Sequence, residues 1–541
     1  MKKIGLLLGA ALFILAGCFS TGGNTEEKNS TQQEISVSLS GELTTLDSAQ
    51  YTDVNSSDMI GQLTEGLYRY DEEGEPELAL ASKEPEVSED GLTYTFQLKD
   101  TNYSDGTPVK AEDFVYAFQT VVDPKTASSS SNRMDIFQNG REIREGDKEV
   151  DELGAQAIDD STLKLQLEDP LPFLPEILTG TPFMPKSKEF AEGEGKQYGT
   201  NTEKFLGNGP FVINDWDGNN ESWTLEKNPE YWDQDNVQME TINVQVVKEV
   251  ATGTNLFTDG QLDYTLLADT QAQQYQNDEQ AYFEPKAMVG YISPNQKREV
   301  TSNVNVRKAI LQAIDKDNFA QNILSDGSTP LNGFVASDFA KNPSTDEDFR
   351  EENGDLLPYD KKAAQQSWEK AKEELGQDEI TLELLSADAA MSKKTIEYIQ
   401  GQLEETLPGL EITIKSVPLQ NRLDLQTEGD FDLVFGTWTP DYADPIDFLN
   451  FYDSQSGLNT SGYDNPDYDK GLEEARTTLA NDPDARWDKL LEMERLLVEE
   501  DAAVLPFYQG ANAYLKTDRL GGIQVFPFGR TVSYRTTFIT E

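Results

Sequence analysis

Histidine is absent from all 541 residues, and cysteine occurs once, at Cys18. The first absence removes Ser-His and Cys-His catalytic pairs, imidazole proton shuttles and histidine-held zinc or nickel. The second excludes an intrachain disulfide, so stability must come from an apolar core. Basic residues are scarce as well: 44 Lys and Arg stand against 99 Asp and Glu, a formal net charge of −55. A phosphate backbone needs a basic face, so nucleic acid is not an expected partner, and the body is not expected to adhere to anionic lipid. Runs such as Asp346-Glu347-Asp348 and Glu351-Glu352 read as solvated surface. The same balance suits high salt, where like-charge repulsion is screened. Beyond the first residues no apolar run is long enough to span a membrane.

The amino terminus supplies an address. Lys2 and Lys3 precede an apolar run from Ile4 to Ala16, which Leu15-Ala16-Gly17-Cys18 closes with small residues before the cysteine. This is the layout of a secretory signal, and its apolar run is short for a membrane span. The closing residues resemble a bacterial lipobox, which implies a signal peptide at 1–17, cleavage before Cys18 and diacylation of its thiol. Residues 18–33, rich in Ser, Thr, Gly, Asn, Gln and Glu, then read as a lipid-anchored flexible leash. The expectation is a soluble body tethered to the extracytoplasmic face of the cell membrane.

The rest is long enough for two or three domains with sizeable cores. Tyr94, Phe96 and Leu98 alternate with polar neighbours, as do Leu163, Leu165 and Leu167, and later Phe431, Leu433 and Phe435. Each predicts a half-buried strand. Val306, Ile310 and Ile314 place one stripe on a helix that also carries Arg307 and Lys308. Asp360 is placed to cap a helix burying Ala364, Trp368, Ala371 and Leu375; Asp482-Pro483 opens another with Trp487, Leu491 and Val498. Strands and helices intersperse without a fixed repeat, which predicts an α/β architecture. Turn-rich stretches at Gly193 to Asn201 and Lys341 to Leu357 read as surface loops.

Motifs with catalytic or metal chemistry fail on inspection. Gly193-Glu194-Gly195 lacks the third glycine of a dinucleotide site, and no P-loop pattern occurs. Asp464, Asp467 and Asp469 lack the glycine and closing glutamate of a calcium loop. No cofactor or metal is expected, and no nucleophile with its base is found.

What remains is a chain-long series of specific segments. Leu43-Thr44-Thr45-Leu46-Asp47 and Glu65-Gly66-Leu67-Tyr68 come first, then Glu89-Asp90-Gly91-Leu92-Thr93-Tyr94-Thr95-Phe96. Tyr103-Ser104-Asp105-Gly106-Thr107-Pro108-Val109, Ala111-Glu112-Asp113-Phe114 and Asn228-Pro229-Glu230-Tyr231-Trp232 follow. Val306-Arg307-Lys308-Ala309-Ile310, Trp438-Thr439-Pro440-Asp441-Tyr442-Ala443-Asp444-Pro445 and Asn465-Pro466-Asp467-Tyr468-Asp469 complete the series. In this order they resemble the family 5 extracellular solute-binding proteins, in particular the oligopeptide-binding lipoproteins of ABC importers.

The resemblance implies a two-lobed, periplasmic-binding-protein-like fold of class II type with an extra small domain in the first lobe. Lobe I would combine residues 34–64, 201–290 and 506–541, the small domain 65–200, and lobe II 291–505. The protein would be a monomer that captures oligopeptides between its lobes and delivers them to permease and ATPase subunits, without catalysing a reaction. Asp441, three residues after Trp438, would receive the peptide α-ammonium through charge-assisted hydrogen bonds. Thr437 and Thr439 would pair with the ligand main chain as an added strand, beside Trp438 and Tyr442. Ser104 to Pro108 would be a structural turn. Two departures bear on the ligand. Ser128-Ser129-Ser130-Ser131 stands where some relatives carry a site tyrosine, and no arginine or histidine accompanies Phe431 to Phe435. Arg422 is the nearest cation, so the ligand's C-terminal end is expected to be held loosely. Other readings are a receptor for one signalling peptide, a binder of another small solute and, in a different class, a surface hydrolase.

Overall fold

Two long strands, Ala281–Pro294 and Leu505–Lys516, run antiparallel through the middle of the largest sheet and are shared by its two halves. The sheet order is Leu410–Val417, Ile380–Ala387, Leu433–Trp438, Ala281–Pro294, Leu505–Lys516, Tyr264–Leu267, Glu34–Leu39, Thr241–Val246, Ser222–Lys227 and Phe211–Asn214. This computed structural model describes residues 33–540. The signal segment, Cys18 and the leash through residue 32 lie outside the described residues. Gln33, placed above at the end of the leash, is already tied down. Its side-chain amide exchanges hydrogen bonds with the backbone of Ile539 at 3.1 and 2.8 Å.

Each half contains a parallel pair, Glu34–Leu39 with Thr241–Val246 and Ile380–Ala387 with Leu410–Val417. A parallel pair requires a crossover, and helix Ala390–Thr406 supplies the second. Between the halves the paired long strands break register from Pro285 to Val289 and again at Gly290/Tyr291. Pro285 has no N–H to give the ladder, so an irregularity is natural there.

A separate antiparallel sheet orders Glu86–Val87, Thr93–Gln97, Thr162–Gln166 and Ala155–Asp159. Helix Ala111–Val122 packs with it, sealing Phe114 and Phe118 from solvent. The Ser104 to Pro108 segment is indeed a turn. Gly106 adopts φ +84°, which only glycine takes freely, and Asp105 accepts the Thr107 N–H at 2.9 Å.

The strand and helix expectations hold where local chemistry decides them, but Phe431 lies ahead of strand Leu433–Trp438, whose first four residues are all buried instead of alternating. Asp360 caps Lys361–Leu375 by accepting the Lys362 and Ala363 N–H groups at 2.9 Å. Asp482 caps Pro483–Arg495, although the chain then changes to a wider π-turn at Leu496–Glu500, which carries Val498. Helix Val304–Ala313 buries Val306 and Ile310 as expected, and buries Arg307 too. That guanidinium makes five hydrogen bonds, to the carbonyls of Thr301, Ser302, Asp501 and Ala502.

Two loop expectations need correction. Gly193 lies inside helix Lys188–Glu194, and a 3-10 turn follows at Gly195–Gln197. The 341–357 stretch contains helix Phe349–Asn353, capped by Asp348 and anchored by Phe349, whose ring meets Trp487 edge-on at 5.1 Å. A single buried aromatic outweighs the surrounding turn residues. Among the described residues no helix is long and apolar enough to cross a membrane.

Candidate functional site

The strand Leu433–Trp438 delivers the candidate residues to a cleft. On one side it pairs with Ala281–Pro294 along its whole length, from Pro294↔Leu433 to Val289↔Trp438. On the other side only Leu433 and Val434 pair, with Leu384 and Leu385. From Phe435 onward that edge of the ladder is open. Pro440 then ends strand geometry, and Asp444 caps the short helix Pro445–Leu449 by accepting the Ile446 N–H at 2.9 Å.

Thr437 and Thr439 are exposed, Trp438 and Tyr442 half-buried. Trp438 meets Phe451 edge-on at 5.1 Å, and its buried indole N–H has no partner among the described residues. Tyr442 stacks on Phe173 at 4.7 Å with the rings 7° from parallel, joining the 65–200 segment to the strand's far end. Behind that stack Arg486 forms a buried two-pronged ion pair with Asp444, both bonds 2.8 Å long. Arg422 donates to the Phe435 carbonyl at 3.2 Å, and its buried Nε–H is unpartnered among the described residues. Arg422 therefore lies on the open edge of the strand, and it is not among the residues lining the cavity beside Asp441.

That cavity, about 240 Å³, is lined by Thr439, Pro440 and Asp441 from the strand's exit. Tyr51, Tyr70, Arg133 and Glu176 line it from earlier segments, and Phe526, Phe528 and Arg530 from the carboxyl-terminal hairpin. An adjoining space of about 580 Å³ shares Tyr70, Phe526 and Phe528, and carboxylates are its commonest lining side chains. Asp441 is about half exposed and forms an ion pair through Oδ1 with Arg133. Its N–H donates to Asp447 at 2.6 Å.

Arg133, Glu176 and Arg530 were missed by the sequence reading. Arg133 sits in the 3-10 turn Ser131–Ile136, which begins on the last of the four serines noted above as a departure. The one available signal was a cation two residues beyond that departure. Glu176 and Arg530 stand in no motif that marks them.

Burial pushes the carboxyls of Asp447 and Glu176 up to about 7. Asp441 and Asp444 add to the rise at Asp447, while the Asp441 N–H and Arg133 oppose it. Asp444 and Glu75 add to it at Glu176, with Arg486 opposing. Both folded values exceed those of unfolded carboxyls, so the folded chain binds more protons between about pH 4 and 7. Their contribution to stability is present at low pH and is lost as pH rises toward 7. Melting temperature should therefore fall from pH 5 to pH 8 more steeply in the wild type than in Asp447→Asn/Glu176→Gln. Parallel slopes would show that these two groups do not carry the titration.

Comparison with known proteins decides the family. The model of the bacterial extracellular solute-binding proteins, family 5, middle region, matches residues 75–460. The chain belongs to this family. It is 32% identical to the dipeptide-binding protein of Lactococcus lactis subsp. cremoris, over 99% of each chain. Among solved structures, Listeria monocytogenes OppA bound to peptide is 37% identical and superposes with a TM-score of 0.72 over 95% of this chain and all of that one. The unliganded open form of the murein tripeptide-binding protein MppA is 27% identical and reaches 0.81, over 94% and 97% of the two chains. The mixed α/β architecture is thus that of the two-lobed periplasmic binding proteins, as the sequence reading expected.

Proposed function

We propose that this family member captures peptides in the cleft at Asp441 and passes them to the permease and ATPase subunits of an ABC importer, making and breaking no covalent bond. The observation that carries the reading is the placement of Asp441. Its carboxylate lies at the end of a strand with an open edge, on a cavity walled by aromatic rings and by distant parts of the chain. A peptide offers two recurring features whatever its sequence, a main chain and an α-ammonium group. The open edge beyond Val434, with exposed Thr437 and Thr439, suits the main chain. Asp441 Oδ2 suits the ammonium, because Arg133 engages only Oδ1 and a carboxylate accepts several bonds.

The residues 34–64, 201–290 and 506–541 form one lobe in this reading, 291–505 the second, and 65–200 the small domain. The register breaks in the two long strands serve as the flexible joint. The higher TM-score with an unliganded open relative favours an open state for the chain described here. Similarity to a dipeptide-binding protein and to a peptide-bound OppA favours peptides over other solutes.

Incubation with a defined peptide mixture, followed by mass spectrometry of what the washed protein retains, tests the reading. Intact peptides are expected; shortened ones would make the protein a hydrolase, and a single retained sequence a selective receptor. We assign Cys18 to the lipid anchor alone. Cys18→Ser should release the body from cells with its peptide binding unchanged, since two acyl chains hold a protein stably and none does not. A serine variant that stays in the membrane fraction after high-salt washing would refute the anchor.

A further inference from the structure

Arg530 stands at the tip of the hairpin formed by Gln524–Val525 and Val532–Ser533, on the wall of the same 240 Å³ cavity. The tip is built rather than loose. Gly529 turns it with φ +70°, Phe526 N–H donates to the Thr531 carbonyl at 3.0 Å, and Thr531 N–H donates to Asp58 at 2.6 Å. The guanidinium lies 5.7 Å from the Phe526 ring centroid and gives one hydrogen bond, from Nη1 to the Gly61 carbonyl at 3.2 Å. A guanidinium carries five N–H donors, so most of its capacity remains unused. It has no carboxylate within ion-pair distance among the described residues, in a chain with more than twice as many acids as bases. The nearby carboxylate of Asp58 is spent on Thr531. Arg133, the other guanidinium on this wall, is already neutralised by Asp441. Burial disfavours the charge of Arg530, so a cation kept there without a partner is suited to an incoming anion.

We propose that Arg530 receives the α-carboxylate of a short peptide whose α-ammonium is met at Asp441. The proposal rests on the peptide reading of the cleft and reverses the expectation of a loosely held C-terminal end. It also commits to length. The cavity has the volume of about eight liquid waters, and an extended residue spans about 3.3–3.6 Å. Two or three small residues fill such a volume, and the proposed ligand is of that length. Longer chains run past Arg530 into the acidic space beyond Phe528.

Calorimetry with di-, tri- and tetra-alanine, each in free, N-acetylated and C-amidated form, tests this on the unmodified protein. Amidation should weaken dialanine or trialanine about tenfold to a hundredfold, the range of a charge-assisted hydrogen bond, and tetra-alanine much less. In Arg530→Gln the amidation penalty should vanish while the acetylation penalty persists. An acetylation penalty without an amidation penalty at any length would overturn the role of Arg530 and leave the peptide reading intact. An amidation penalty that survives in folded Arg530→Gln would also overturn it. Failure of all three free peptides to bind would remove both.

Discussion

Asp441→Ala is expected to weaken peptide binding about tenfold to a hundredfold, and N-acetylation of the peptide should cost about as much. A hydrogen bond to a charged group contributes about 1.5–3 kcal/mol, and each 1.4 kcal/mol is a decade in affinity. The half exposure of Asp441 keeps the expected loss below that for a fully buried pair. The losses should be non-additive, because acetylation removes the cation that the missing carboxylate would have met. Arg133 sharpens the test. Without Asp441 its guanidinium remains in the cavity unpaired and repels the ammonium. Arg133→Gln/Asp441→Ala should therefore bind free peptide better than Asp441→Ala alone. Calorimetry on the four combinations of protein and peptide measures the coupling. Equal affinity for free and acetylated peptide would end the assignment, and strictly additive losses would show that the two groups do not meet.

Glu494→Ala should produce the largest loss of stability, about 3–5 kcal/mol, by stranding a buried arginine. Glu494 is fully buried in helix Pro483–Arg495 and receives four donors. These are the backbone N–H groups of Phe334 and Val335 at 2.7 and 2.8 Å, Arg350 Nη1 at 2.6 Å and Asn353 Nδ2 at 2.5 Å. Removing the carboxylate leaves Arg350 with only its bond to the Gly354 carbonyl at 2.8 Å and orphans two backbone donors. Glu494→Gln should recover little, since its amide brings another donor into a ring of donors. Gly333 belongs to the same arrangement, for a Cβ there would fall 1.4 Å from the Arg350 guanidinium. Urea unfolding followed by tryptophan fluorescence reads the loss, with Trp487 on the same helix. A midpoint near wild type would mean that the network does not hold this region together.

Elements decided by neighbouring residues were open to a reader of the sequence. The Asp360 and Asp482 caps, the Asp105-Gly106 turn and the alternation at Tyr94 to Leu98 each need only a few residues of context, because helix ends, turns and strand faces are local problems. The loop expectation at 341–357 failed only over Phe349–Asn353, where one distant contact, Phe349 on Trp487, outweighed local composition, and that at 193–201 failed only at the end of helix Lys188–Glu194. Arg307 shows the same limit. The apolar stripe placed it on a helix but gave it no partner, and carbonyls of the 301–302 and 501–502 segments enclose it.

By itself the sequence determined the α/β class, the chemistry the protein cannot perform through histidine, and the family, which the comparisons then established. These are properties of composition, local periodicity and an ordered series of segments, all carried along the chain. Only the tertiary structure decided which charges face one another. It set Arg133 on Asp441 across 308 positions, placed Arg530 on the same cavity with no ion-pair partner among the described residues, and closed Glu494 around Arg350 across 144. Charge pairing depends on distance in space and on withdrawal from water, and neither can be read from spacing along a chain.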